Sequence, residues 1–134
     1  MKWMLDTNAC IRYINGRAPQ LQRRLDSTKA GEVVVCSIVK AELFFGSARS
    51  TDPARSIAIQ RRFLSGMTSL VFDDSCSEIY ATIRSSLAAA GTPIGTNDML
   101  IAAIAIANDV TLISHNTEEF SRVPGLKIED WELP

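Results

Sequence analysis

Five short apolar runs, at 2–5 (KWML), 32–36 (EVVVC), 69–72 (SLVF), 110–114 (VTLIS) and 126–128 (LKI), are separated by stretches whose apolar residues recur at helical spacing. The runs lack an apolar–polar alternation, as expected of strands covered on both faces. Val33, Val34 and Val35 add the β-branched enrichment of a strand. Parallel neighbours need a long crossover, usually helical, so the alternation predicts a parallel sheet with helices on both faces. Helices are predicted over 7–15, 18–27, 37–49, 53–66, 75–90 and 97–108. Pro19 and Asp52-Pro53 mark two starts; Ser37, Asp74 or Ser75, and Thr96 or Asn97 are the other expected caps. Gly91 and Asn108-Asp109 mark two ends. The helix at 97–108 is apolar all round and so is predicted to be largely buried. The expected fold is a single three-layer α/β/α domain over residues 1–134, with a mostly parallel central sheet of four to five short strands.

A chain of 134 residues can bury a core without staples. Its cysteines, Cys10, Cys36 and Cys76, are odd in number, far apart and set among apolar residues, with no C-x-x-C. That pattern excludes a disulfide framework and a cysteine zinc site, and predicts buried thiols in a reducing compartment. Asp6 interrupts the first apolar run, and the most apolar stretch, 99–107, is too short to cross a bilayer. A cytoplasmic protein without a membrane partner is expected. The net charge of −1 hides an asymmetry: residues 1–62 hold eleven Lys/Arg and five acids, residues 63–134 three and ten. The basic half suits an anionic partner or a solvated helix surface, with Arg12, Arg17, Arg23 and Arg24 the first candidates for phosphate contacts.

The acids fall in a pattern. In open parallel sheets, sites form at the carboxyl ends of strands. Asp6 follows the first run directly, Glu42 lies five residues past Ser37, Asp98 opens the apolar helix, and Glu118 and Glu119 follow 110–114. Each also has an ordinary explanation: Asp6 as a helix cap, Glu42 as a solvated helix residue, Asp98 as a helix-dipole partner, Glu118 and Glu119 as loop charges. Together they put carboxylates from four segments at strand-end positions. Clustered carboxylates repel unless a cation joins them, and all-oxygen ligation selects Mg²⁺, with Mn²⁺ as a substitute. Such a site suits phosphodiester hydrolysis. His115 is the only histidine, so a two-histidine ribonuclease mechanism is excluded. No G-x-x-x-x-G-K-[ST] or G-x-G-x-x-G occurs, and "DTN" lacks the second acid of a D-x-D phosphatase.

With these residues in place, the chain resembles the PIN-domain ribonucleases and, among them, the VapC toxins of bacterial toxin–antitoxin pairs. The resemblance rests on "MLDTNACI" (4–11), "SIVKAELFFG" (37–46), "GTPIGTNDMLIAAIAI" (91–106) and "LISHNTEEFSRVPGLKIEDW" (112–131), nearly the whole chain. It implies a metal site of Asp6, Glu42 and Asp98, with a fourth acid at Glu119 in preference to Glu118, and Thr7, Ser37, Asn97 and Asn116 as supporting polar groups. Ser114 stands where the family more often has Thr and keeps the hydroxyl. It further implies Mg²⁺ held by Asp6 and Asp98, with Glu42 and Glu119 acting directly or through water. The expected substrate is RNA, often a structured one such as tRNA, cut to 5′-phosphate and 3′-hydroxyl ends. The expected partners are a small antitoxin and a second copy of the chain, with Phe44 and Phe45 as candidate groove residues. The alternatives are a partner-binding module with a vestigial site, and a metal phosphohydrolase acting on small phosphates.

Overall fold

The computed structural model describes residues 1–134. Strands β1 (Trp3–Leu5), β2 (Val33–Cys36), β3 (Ser69–Leu70), β4 (Thr111–Ile113) and β5 (Ile128–Glu129) form one sheet, in the order β3-β2-β1-β4-β5. Every neighbouring pair is parallel. Helices α1 (Thr7–Ile14), α2 (Pro19–Asp26), α3 (Ser37–Ala48), α4 (Pro53–Leu64), α5 (Asp74–Ala90), α6 (Thr96–Ala107) and α7 (Thr117–Phe120) complete the three-layer α/β/α architecture. β1 is central: Met4 is paired with Val34 on one side and Leu112 on the other. The chain runs outward from β1 to β2 and β3, then returns to β4 on the far side of β1. That reversal leaves a crevice at the carboxyl ends of β1 and β4, where open α/β sheets bind ligands.

The core explains the shortness of the strands. Met4, Leu5, Val34, Val35, Leu112 and Ile113 are all buried, so a few residues per strand suffice to hold the sheet between its helices. In α6, Ile101, Ala102, Ala103, Ile104 and Ala105 are buried, as the apolar pattern predicted. Its alanines let α6 lie close along α5. Trp131 closes the far end, with its ring edge-on to Trp3 at 5.2 Å. The three cysteines are free and buried.

Several boundaries differ from the sequence expectation, each for a local reason. Ser37 is not a cap: β2 runs straight into α3, and Cys36 takes the cap position. Asp73, not Asp74 or Ser75, caps α5 by accepting the Cys76 N–H at 3.1 Å. Gly95 precedes α6, so Thr96, Asn97 and Asp98 all lie in its first turn. The last strand pairs at Ile128–Glu129 rather than 126–128, because Gly125 still turns the chain at φ 80°. The short α7 is absent from the sequence expectation, since four residues carry no helical period. Of the two phenylalanines, Phe44 packs against the core, whereas Phe45 is 63% exposed.

Candidate active site

Asp6 sits where β1 becomes α1. Its backbone N–H still bonds Ile113 O at 3.1 Å, extending the ladder. Its Oδ1 then accepts the Ala9 N–H at 2.8 Å, which makes it the N-cap of α1. The side chain is buried, and the Ser114 hydroxyl just past β4 favours its charged form. Burial pushes its carboxyl up from the ordinary value; the Ser114 and Ala9 hydrogen bonds oppose this, and the charges of Glu132 and Glu42 add to it.

Three other elements bring acids to the same place. Glu42 projects from α3 and is half-buried, and its Oε1 accepts the Thr7 hydroxyl at 2.6 Å. Glu119, on α7, accepts the Asn116 Nδ2–H at 3.1 Å, and the Asn116 backbone N–H donates to Ser114 Oγ at 3.0 Å. Asp98 is half-buried in the first turn of α6. Burial, followed by the charges of Glu42, Glu119 and Asp6, pushes its carboxyl up to about 6. All four acids therefore share one field. Asp6, Thr7, Asn8, Glu42, Asp98, Asn116 and Phe120 line a small cavity of about 110 Å³. Glu42 and Asp98 also border a wider concavity of about 380 Å³ with Gly95, Thr96 and Asn97.

No Lys or Arg lines either space, and none is ion-paired with any of the four acids. Only protonation or a bound cation relieves such crowding. An all-oxygen donor set, three of whose members are oriented by neutral hydrogen bonds, fits a hard divalent cation.

The PIN domain family's model matches residues 3–126. The chain belongs to the PIN-domain family. Among curated relatives, Ribonuclease VapC2 of Haemophilus influenzae is 38% identical over 131 residues, spanning 98% of each chain. The tRNA(fMet)-specific endonuclease VapC of Salmonella typhimurium is 34% identical over 131 residues, again spanning 98% of each. The crystal structure of DNA-bound VapBC from Salmonella typhimurium superposes with a TM-score of 0.91 at 34% identity, covering 98% of each chain.

The structure of this PIN domain sorts the expected site residues. It brings Asp6, Glu42, Asp98 and Glu119 together, while Glu118 points to solvent, 3.8 Å from Arg122. Thr7 and Asn116 hydrogen-bond two of the acids, and Asn97 is exposed at the wider opening. Ser37 hydrogen-bonds none of the four; the hydroxyl that favours the charged form of Asp6 is that of Ser114. Of the four arginines, Arg17 and Arg23 are exposed and without an ion pair. Arg12 is paired with Glu132. Arg24 lies 3.4 Å from Glu129 and stacks over the Trp131 ring at 4.9 Å.

A second cluster is not evident from the sequence. His115, Asp130 and Glu132 offer ligand atoms within 4.8 Å of one another. Unlike the four acids, both carboxylates have a basic side chain as partner here: Asp130 bonds His115 Nδ1 at 2.8 Å, and Glu132 bonds Arg12. The only signal is the acidic "IEDWE" at the last strand. The largest concavity, about 700 Å³, lies elsewhere, with Tyr13, Ile14, Leu25, Ile59 and Phe63 as its apolar lining and Lys29 and Arg62 among its polar residues.

Proposed function

We propose that this PIN domain is a Mg²⁺-dependent endoribonuclease and the toxin of a toxin–antitoxin pair. The observation that carries the reading is the cluster of four carboxylates from four separate segments, one of them raised to about 6, with no cationic side chain among them. A fold has no reason to keep such repulsion unless a cation is bound there. The ribonuclease and tRNA endonuclease names of full-length relatives support RNA as the substrate, and tRNA as its class.

Asp6 and Asp98 are the direct ligands, with Mn²⁺ as a substitute for Mg²⁺. When bound, the cation polarises the scissile phosphate and lowers the pKa of a water. Asp6 is held by the Ala9 N–H, which fixes one of its carboxylate oxygens. Thr7 fixes Glu42 and Asn116 fixes Glu119, which gives those two acids set positions for direct or water-mediated contact. His115 lines neither space bordered by the four acids, so no imidazole stands there to activate a ribose 2′-OH. Water is then the nucleophile, the 3′-oxygen leaves, and the products carry 5′-phosphate and 3′-hydroxyl ends.

The solved VapBC complexes support an antitoxin as partner. We place its docking segment in the 700 Å³ groove between α1, α2 and α4. Apolar walls from Tyr13, Ile14 and Phe63, with Lys29 and Arg62 outnumbering the one lining acid, Asp26, which accepts the Tyr13 hydroxyl, match an amphipathic acidic peptide. The whole of residues 1–134 acts as one domain, in the cytoplasm, as a homodimer. The decisive test is purified protein with tRNA and total RNA, in Mg²⁺ or EDTA, followed by end-mapping. Cleavage in Mg²⁺ alone, lost in Asp6→Asn and leaving 5′-phosphates, is expected. Metal-independent cleavage or 2′,3′-cyclic ends overturns the reading.

A further inference from the structure

Of the seven glycines, five take φ between 66° and 85°, which accounts for the residue type at those positions. Gly46 lies within α3 and has open space around it. Gly95 differs from all six. Its φ of −57° and ψ of 146° suit any L residue, so the backbone does not require glycine there. Nor does capping, since Asn, Asp or Ser would serve better at the start of α6. A Cβ at position 95 would lie 3.4 Å from Asp98 Oδ2 and 3.9 Å from Asp98 Cγ, and beyond its chain neighbours it would touch nothing else within 4 Å. The missing side chain therefore leaves one face of the Asp98 carboxylate bare, where Gly95 and Asp98 together line the wider concavity. Asp6, Glu42 and Glu119 accept hydrogen bonds from Ala9, Thr7 and Asn116, whereas no protein donor reaches Asp98.

The two spaces around the acids differ in what they admit. The inner cavity, about 110 Å³, matches the liquid volume of about three or four waters at roughly 30 Å³ each. That holds a cation with a few waters and excludes a nucleotide. The wider concavity, about 380 Å³, falls within the roughly 300–1,000 Å³ of small-ligand sites. Glu42 and Asp98 border both spaces, so a strand lying in the wider one meets the inner one at these two acids, alongside Gly95.

We propose that Gly95 is a positioning residue for the substrate: by carrying no side chain it keeps the Asp98 carboxylate open on the side from which the RNA strand reaches the inner cavity. The inference rests on the ribonuclease reading of the four acids. It gives the wider concavity a role as the approach of the scissile phosphate and gives the residue type at position 95 a reason. A glycine serving only to start α6 makes a different forecast. Alanine fits the same backbone and restricts the unfolded chain, and asparagine is the better cap, so both should be neutral or stabilising and should leave cleavage as it is. If Gly95 keeps the approach open, the same two variants fold equally well and lose cleavage. The alanine methyl would rest against Asp98 Oδ2, and the asparagine side chain would also fill part of the concavity.

The experiment compares wild type, Gly95→Ala and Gly95→Asn. Melting curves in EDTA read folding, calorimetric titration with Mn²⁺ reads the metal site, and rates on tRNA in Mg²⁺ give kcat/KM. Affinity for labelled tRNA is read by anisotropy with each substitution placed in the inactive Asp6→Asn background. Expected are melts at or above wild type, Mn²⁺ affinity close to wild type, weaker tRNA binding, and kcat/KM lowered about tenfold by alanine and further by asparagine. Wild-type cleavage by Gly95→Ala overturns the proposal and leaves Gly95 a cap. Mn²⁺ affinity lost in step with cleavage overturns it too, because the side chain would then act on the cation and not on the approach. Cleavage lost with tRNA affinity unchanged has the same consequence. A Gly95→Ala melt well below wild type makes the glycine a structural necessity and likewise overturns the proposal. These outcomes leave the ribonuclease reading standing. Wild type that neither binds Mn²⁺ nor cleaves RNA overturns that reading, and this inference with it.

Discussion

Asp98→Asn removes one charge from the crowded site at constant size, and its effect on the metal-free protein has a definite sign. Burial and three neighbouring carboxylates raise the Asp98 carboxyl from 3.8 to about 6. A displacement of that size is worth roughly 3 kcal/mol in a fully buried group. Asp98 is half-buried, and solvent screening reduces this to about 1 kcal/mol. Asparagine forfeits the acid's interaction with the α6 N-terminus, which takes back about 0.3–0.5 kcal/mol. The variant should therefore melt about 2 °C above wild type in EDTA at pH 7.5, for a domain of this size. Because the folded-state value is raised, the penalty in wild type is absent below 3.8 and complete above about 6. The advantage of the variant should accordingly vanish near pH 4, grow up to about pH 6 and level off above it. Saturating Mg²⁺ should reverse the order, since wild type gains RT ln(1 + [L]/Kd) and the variant gains less. Thermal melts from pH 4 to 8, with EDTA and with Mg²⁺, read every part of this. A variant less stable than wild type in EDTA at pH 7.5, or an advantage that ignores pH, would refute the reasoning.

Glu119→Gln should lose most RNA cleavage and Glu118→Gln should keep most of it, because only Glu119 is held by Asn116 and acts on Asp98; rates on one RNA at fixed Mg²⁺ compare them. Neutralising the unpaired Arg17 and Arg23 should lower the salt slope of RNA binding by about 0.7–0.9 for each phosphate no longer neutralised, measured in an inactive background. Ile59→Asp, which puts an acid in the apolar groove, should weaken antitoxin capture at least tenfold while leaving cleavage by the free toxin intact; calorimetry and a cleavage assay separate the two. Sedimentation of the isolated chain at roughly tens of micromolar should give a dimer, and a monomer there counts against self-association.

The sheet and its layers are legible in the sequence because apolar runs without alternation leave few options for a chain that also carries amphipathic helices. The strand order is less so, since periodicity does not record on which side of β1 the chain returns. Cap positions slip by about a residue where several good capping residues adjoin. In "DDSC" Asp73 wins over Asp74 and Ser75, and before "TND" a glycine takes the place. Strand ends alone offer Asp6, Glu42, Asp98 and the pair Glu118 and Glu119, between which only the resemblance chooses, and the neighbours of these acids are not legible at all. In sequence Ser114 is only a tolerated departure from the family's commoner Thr, yet its hydroxyl accepts the Asn116 N–H and favours the charged form of Asp6. Glu132 lies at the other end of the chain from Asp6, and nothing in its local sequence gives it a partner.

Asp6 shows why sequence does not choose between its two roles. A cap and a ligand are usually weighed as rivals, because each explains an acid at the end of a strand. Here the cap is part of what would make the residue a ligand. Its Oδ1 is fixed by the Ala9 N–H at 2.8 Å, and the carboxylate still lines the cavity shared with Glu42 and Asp98. The α1 N-terminus therefore sets the rotamer and favours the charged form, while burial and the neighbouring acids disfavour that form. The site is poised between these opposing effects, and a cation would tip it. On this view capping strength and metal affinity at position 6 rise and fall together. A serine there, still a good cap but with no charge, would separate them.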